Sequence, residues 1–353
     1  TGDAARRPEF LPLPDHHPVF RRVKSQNVKR RLRADAQAAA LSDGVGDNPP
    51  VAPENLPRRI HNLAGNHRQA PVFKQLPVIP GFEASGQVVA TGSNFMAKRL
   101  LGKEVACFAP TKGNGSWAEY MVTDFSFVVP LKQKIQSDQG SMLLINPMSA
   151  LAMVDICRKN KCKAMVNTAA ASALGRFLIK ACADANITLI NVVHRQEQVD
   201  LLKSIGAKHI LNSSKENYLA ELRTYCELYN ARIAFDAIGS TSTYNLLNAL
   251  PDGGEVHVYG ALSAEKSISA NVQDIIFKRK SVRGFWLSTW IAEQSIFKIL
   301  ETAKKARKII SAGNEITIQK KIPLEAFKSG MEDYLNNMTA GKVLLCPSMT
   351  IKE

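Results

Sequence analysis

The sequence predicts an α/β protein in which a doubly wound parallel sheet is set into a mainly β unit built from both flanking parts of the chain. Three observations predict it. Apolar strands alternate with helical stretches of 9–14 residues between about 148 and 288, which requires right-handed crossovers and hence a parallel sheet. From about residue 77, short or alternating apolar runs between turn residues (GQVVAT, EVACFA, WAEYMVTDFSFVVP) read as strands of an antiparallel or barrel-like unit. A long amphipathic stretch, SIFKILETAKKARKII, then leads to a last strand near GKVLLC, which returns the chain to the first unit. The expected division is 1–147, 148–288 and 289–353, the last part rejoining the first.

The elements follow in order. PMSALAMVDICRK at 147–159 places its apolar residues on one helical face. Next come strand KAMVNT (163–168), helix SALGRFLIKACADA, strand ITLINVV (187–193), helix EQVDLLKSI and strand HILN. Helix NYLAELRTYCELY, strand RIAFDAI (232–238), helix TSTYNLLNAL and strand GEVHVYGAL (254–262) complete the alternation. Residues 1–60 show no strand set and are expected to form a basic, weakly patterned extension.

With 353 residues, 45% hydrophobic and 22% charged, the chain has material for two or three domains, and wholesale disorder and collagen-like structure are excluded. Cysteines at 107, 157, 162, 182, 226 and 346 include no Cys-x-x-Cys, so neither a disulfide framework nor a four-thiolate zinc lobe is expected. A reducing compartment follows: the cytoplasm, with the mitochondrial matrix as the alternative. The Arg-rich start has the look of a transit segment but carries Asp3, Glu9, Asp15 and Asp35, and such segments are poor in acids. No run of 18 apolar residues exists, so no membrane span is expected.

The formal net charge of +15 favours polyanionic partners: nucleic acid, anionic membrane, or phosphate-rich cofactors and thioesters. Part of it is local, since residues 21–33 hold seven Lys or Arg and no acid. A solvated terminal extension is preferred there over a nucleic-acid arm.

The strongest local signal is AMVNTAAASALGRFLIKA, an apolar strand running through small residues straight into a helix. Small side chains let backbone N–H groups and a helix N-terminus approach a pyrophosphate. Read as Ala169-x-x-Ser172-x-x-Gly175, the turn keeps only the last glycine of a dinucleotide fingerprint, the one that permits close helix–strand packing. Ser172 can donate its hydroxyl to phosphate. Either a dinucleotide or a ligand-free strand–helix turn accounts for this motif alone; the next strand favours the first. Twenty residues after Gly175, where NAD enzymes carry an acid for the ribose, stands Arg195 in His194-Arg195-Gln196. A guanidinium suits a 2′-phosphate, so NADPH is expected over NADH.

LPVIPGFEASGQVVATG, NPMSALAMVDI, NTAAASALGR, NVVHRQEQVDLLKSIGAKHILN, FDAIGS, VYGAL and KSVRGFWLSTW, in this order, resemble the medium-chain dehydrogenase/reductase superfamily, in its zinc-independent quinone-oxidoreductase and enoyl-thioester-reductase branches. The resemblance covers the chain from about residue 76 onward. It implies a Rossmann domain inserted in a GroES-like catalytic domain. It also implies that Asn146 to Ser149 approach the nicotinamide, that Ala170, Ala171, Ser172, Ala173 and Leu174 hold the pyrophosphate and that Arg195 holds the 2′-phosphate. Tyr259 and Gly260 would face the crevice, Phe285, Trp286 and Leu287 would wall the nicotinamide, and Lys342 would contact the cofactor. A homodimer or tetramer is implied as well.

Zinc members of the superfamily carry Gly-His-Glu where this chain reads Gly81-Phe82-Glu83, and Phe82 cannot ligate metal, so no metal is expected and Glu83 is expected to be structural. The enoyl reductases carry a Gly-Asn-Tyr with a proton-donating tyrosine; its nearest match here is Gly65-Asn66-His67, which makes His67 the catalytic candidate. The expected function is NADPH-dependent, metal-independent reduction of small quinones or α,β-unsaturated carbonyl and enoyl compounds. The alternative is a catalytically weak binding protein that uses its basic surface for RNA or another anionic partner.

Overall fold

A computed structural model describes residues 19–21, 79–109, 115–131, 135–311 and 316–347. The chain divides into two units. The first comprises Thr1–Met142, Ile318–Asn337 and Val343–Glu353; the second comprises Leu143–Thr317 and Met338–Lys342.

In the first unit the alternating runs pair antiparallel. Strands β1 (Val19–Arg21), β2 (Glu83–Ala90), β3 (Glu104–Phe108), β4 (Tyr120–Val122) and β5 (Val128–Pro130) form a sheet of order β4-β1-β2-β3-β5. Glu83 opposes Phe108 and Gln87 opposes Glu104, a register that turns Ala84, Val88, Val105 and Cys107 into one buried cluster with Met121 and Val128. Strand β1 corrects the expectation for residues 1–60. It lies between β2 and β4, pairing Val19 with Ala90 and with Val122. Three residues beside a basic run offer no alternation long enough to be read as a strand. A two-stranded sheet of β12 (Ile318–Ile322) and β13 (Lys342–Leu345) is formed by the returning tail.

The second unit is a parallel sheet of order β11-β10-β9-β6-β7-β8. Its strands are β6 (Ala164–Asn167), β7 (Thr188–Val193), β8 (His209–Asn212), β9 (Ile233–Asp236), β10 (Glu255–Val258) and β11 (Ser281–Gly284). The longer helices are α1 (Ile145–Lys159), α2 (Ala173–Ala185), α3 (Gln196–Ser204), α4 (Tyr218–Leu228), α5 (Thr241–Ala249) and α6 (Ile296–Ser311). Strands covered on both faces read as nearly unbroken apolar runs, as these do. On one face Ala164, Val166, Ile190, Val192, Ala234 and Val256 pack with Tyr218, Leu222, Cys226 and Leu246. The order reverses between β6 and β9, and ligands of such sheets bind outside the carboxyl ends of the strands at that point.

The boundaries differ from 148 and 288. The second unit starts at Leu143 and keeps α6, the helix expected to leave with the tail. Lys298 Nζ on α6 lies 2.8 Å from Asp155 Oδ1 on α1, and Thr302, Ala303, Ala306, Ile309 and Ile310 are buried. An amphipathic stripe states that a helix packs, but not on which unit.

Lys280 shows how the far side of this unit is closed. Its ammonium is buried and donates to Leu247 O at 2.9 Å and Asn248 O at 3.2 Å, the last carbonyls of α5, with Asp274 Oδ1 at 3.8 Å. Burial holds its pKa below the usual lysine range. Asp274 keeps a second partner, Lys278, at 2.8 Å. Lys280→Met retains the apolar stem and removes the helix cap, so a loss of about 1–2 kcal/mol is expected in urea denaturation.

Candidate functional site

The site is built from the carboxyl ends of β6, β7, β9, β10 and β11, all within the second unit. At the end of β6 the chain turns through Thr168, Ala169 with φ 49°, Ala170 and Ala171, the last two with 0% and 2% of their surface exposed. Helix α2 then starts with Ser172 as its cap, the hydroxyl oxygen accepting from Gly175 N at 3.1 Å. A Cβ on Gly175 would stand 2.2 Å from Ala170 O, so only glycine fits beneath this turn. The first N–H groups of α2, at Ala173 and Leu174, have no partner within the helix and carry the positive end of its dipole. This cradle fits a pyrophosphate. The Ser172 oxygen caps the helix, a bond that does not use its own hydroxyl hydrogen.

Arg195 follows the end of β7 as the cap residue of α3, with Gln198 Oε1 accepting from its backbone N at 3.1 Å. Its side chain is exposed, and Nη2 donates to Thr339 Oγ1 at 3.0 Å. Beside it His194 Nδ1 and Ser213 Oγ lie 3.0 Å apart. A planar donor group is thus held at the rim next to the strand that feeds the small-residue turn.

Three further strand ends are tied together by residues the sequence reading passed over. Asp236, the last residue of β9, is wholly buried and accepts five hydrogen bonds. Oδ1 receives Thr168 Oγ1 at 2.7 Å, Ser242 Oγ at 3.0 Å and Ile238 N at 3.0 Å. Oδ2 receives Thr243 Oγ1 at 2.6 Å and Gly239 N at 3.1 Å. Tyr259 donates its hydroxyl to Asn167 Oδ1 at 3.2 Å, and burial together with the nearby Asp236 carboxylate raises its phenol pKa. A Cβ on Gly260 would stand 2.7 Å from Ala237 O, which marks a close backbone approach. Phe285 meets Phe235 edge to face at 5.9 Å between centroids, Trp286 is 41% exposed, and Leu287 is buried. Asn146 is half-buried near the start of α1, where Ser149 is buried. Lys342 is half-buried, and its backbone N donates to Thr317 O at 2.8 Å.

The structure therefore brings Tyr259 to the β6 exit and places the 170–175 turn, Arg195, Gly260 and Phe285 at neighbouring strand ends. His67, with Gly65 and Asn66, lies outside the described residues. In the first unit Gly81 has φ 101°, and Gly115, whose added Cβ would stand 2.3 Å from Gly81 O, packs across it. Phe82 and Glu83 lie on this crossing, Glu83 as the first residue of β2. Among the described residues no group of three or more His, Cys, Asp or Glu could hold a metal ion, and no helix is long and apolar enough to cross a membrane.

The fold is that of a two-unit nucleotide-dependent oxidoreductase, and the comparisons with known proteins agree. The alcohol dehydrogenase GroES-like domain model matches residues 58–133, and the zinc-binding dehydrogenase model matches residues 173–305. Mitochondrial enoyl-[acyl-carrier-protein] reductase of Homo sapiens is 27% identical over 302 residues, covering 84% of this chain and 79% of that protein. A solved structure from Mesorhizobium loti, provisionally described as an NADPH:quinone reductase, is 33% identical with a TM-score of 0.69, covering 76% of this chain and 77% of that one. A structure from Bacillus thuringiensis with the same provisional description shares the fold, at 23% identity and a TM-score of 0.73 over 96% of this chain and 92% of that one. The chain belongs to the medium-chain dehydrogenase/reductase superfamily, in its quinone and enoyl reductase branch, and is an oxidoreductase. The curated relatives are named as reductases, which weighs against the binding-protein alternative.

Proposed function

We propose that this protein is an NADPH-dependent, metal-independent reductase of quinones or of α,β-unsaturated carbonyl and enoyl compounds. The observation that carries the reading is Arg195, an exposed guanidinium at the end of the strand beside the one that runs into the Ala169–Gly175 turn. In this reading the first turn of α2 receives the pyrophosphate and Arg195 receives the 2′-phosphate. Asn146, Ser149, Tyr259, Gly260, Phe285, Trp286, Leu287 and Lys342 form the nicotinamide side. Bound NADPH supplies a hydride from its nicotinamide C4. Tyr259 serves as a fixed donor, since its proton is engaged by Asn167 and its pKa is raised. The proton for the acceptor then comes from solvent, from His67 or through a ribose-linked relay. Phe82, with no ligating atom where zinc members of the superfamily carry histidine, supports a mechanism without zinc.

Two acceptor classes are supported by two sets of relatives. The human relative is named for an enoyl thioester on a carrier protein, and the Mesorhizobium loti structure is described for a quinone. The mitochondrial names of the curated relatives support the matrix as a location beside the cytoplasm. A homodimer or tetramer belongs to the same proposal: β11 is an edge strand, and Val272, Ile276 and Phe277 just before it are 67%, 61% and 77% exposed.

The test is an NADPH-oxidation screen with quinones and enoyl thioesters, run beside NADPH titration and repeated after exhaustive chelation. Turnover with at least one class, unchanged by chelation, is expected. Stoichiometric zinc that leaves together with activity would overturn the metal-independent reading.

A further inference from the structure

We propose that Asp236 is a positioning residue that fills the N-terminus of α5 with the protein's own carboxylate and so commits the nucleotide pyrophosphate to α2. The proposal rests on the nucleotide-binding reading above. At the point where the strand order reverses, two helices follow neighbouring strands: α2 after β6 and α5 after β9. Each presents first-turn N–H groups and the positive end of a dipole toward the crevice, and either end attracts an anion.

At α5 a carboxylate of the protein already stands beside the first turn. The Ser242 and Thr243 hydroxyls of that turn, and the Ile238 and Gly239 N–H groups just before the helix, all donate to Asp236. At α2 no carboxylate stands among the capping partners; Ser172 Oγ takes the Gly175 N–H alone. A phosphate near the mouth thus meets a fixed negative charge on one side, and open donors with no carboxylate on the other.

Thr168 joins the two sides. Its hydroxyl donates to Asp236 Oδ1 and accepts from Ala237 N at 2.9 Å, so one side chain links the β6 exit to the β9 exit. Above the carboxylate the turn holds Gly239 at φ 80° and Ser240 at φ 55°, ψ −129°, a conformation L-residues rarely adopt, and such strain persists only where surrounding bonds impose it. The Ser240 hydroxyl donates to Glu265 Oε2 at 2.5 Å, extending the tie to the segment after β10. A buried carboxylate is tolerated when its lone pairs are satisfied, and here every donor comes from the rim of the crevice.

The test uses the full-length protein and NADPH itself, with affinity read from nucleotide fluorescence and amide exchange followed over 237–243. Asp236→Asn removes the internal anion and sets an amide N–H₂ against donors. It is expected to raise the NADPH dissociation constant at least tenfold. Thr168→Val, which keeps shape and loses the hydroxyl, covers the case in which Asp236→Asn does not fold. It is expected to raise the constant about tenfold and to speed exchange at 237–239, while Thr168→Ser stays within threefold of the parent. A Thr168→Val protein that melts lower but binds NADPH within twofold of the parent, like a Thr168→Ser protein that fails to recover binding, overturns the positioning role alone. A parent protein that does not bind NADPH overturns the nucleotide reading and this proposal with it.

Discussion

Gly175→Ala is expected to lower the melting temperature by about 6–12 °C and to weaken NADPH binding at least tenfold. The added methyl would stand 2.2 Å from Ala170 O, with Ala170 C and Cα at 2.6 and 2.7 Å. All three are backbone atoms, so no side chain can rotate away. Either α2 lifts from the sheet or the turn after β6 is displaced. Overpacking of this kind costs about 3 kcal/mol, which for a unit of this size corresponds to the stated shift. Both escapes move the first turn of α2, so binding falls with stability. Calorimetry and fluorescence titration on one preparation check the pair; an unchanged melting temperature would mean that the helix does not sit this close.

Arg195→Ala is expected to raise the NADPH dissociation constant about 10–100-fold and to leave NADH within twofold. One charge-assisted contact to a phosphate is worth roughly 1.5–3 kcal/mol, and NADH has no 2′-phosphate to lose it. The cap of α3 survives, because Gln198 Oε1 accepts from the backbone N of residue 195 whatever its side chain. The two cofactors therefore separate a lost phosphate contact from a damaged strand end. Equal losses for both would remove the 2′-phosphate from this position.

What was legible follows from how far apart the informative residues lie. Strands β6 to β11 were readable because each is a short apolar run set between helical stretches, and the α2 turn because its small residues are contiguous. Arg195 was proposed by counting from Gly175, and it stands exposed at the end of β7. Asp236 was not found, although FDAIGS was on view, because a lone acid within a strand carries no mark of the partners that bury it. Its true state depends on Thr168, which is 68 positions away. Strand β1 was too short for a period, and α6 carried a clear apolar stripe with no mark of which unit it covers.

The contact between Arg195 and Thr339 joins residues 144 positions apart, and Met338–Lys342 enters the second unit only after the chain has passed through β12. On a ribosome, the sheet from β6 to β11 can therefore assemble while Thr339 has yet to be made. The guanidinium is then presented without its hydroxyl partner until that segment is made. In the finished protein the same bond lies at the surface, where water competes for both partners. Fraying of Met338–Lys342 would release the arginine while leaving the strands of the parallel sheet paired. In the proposed reading, cofactor preference is in this way joined to a distant stretch of polypeptide, and proteolytic nicking there would be felt first as a change in how Arg195 is held.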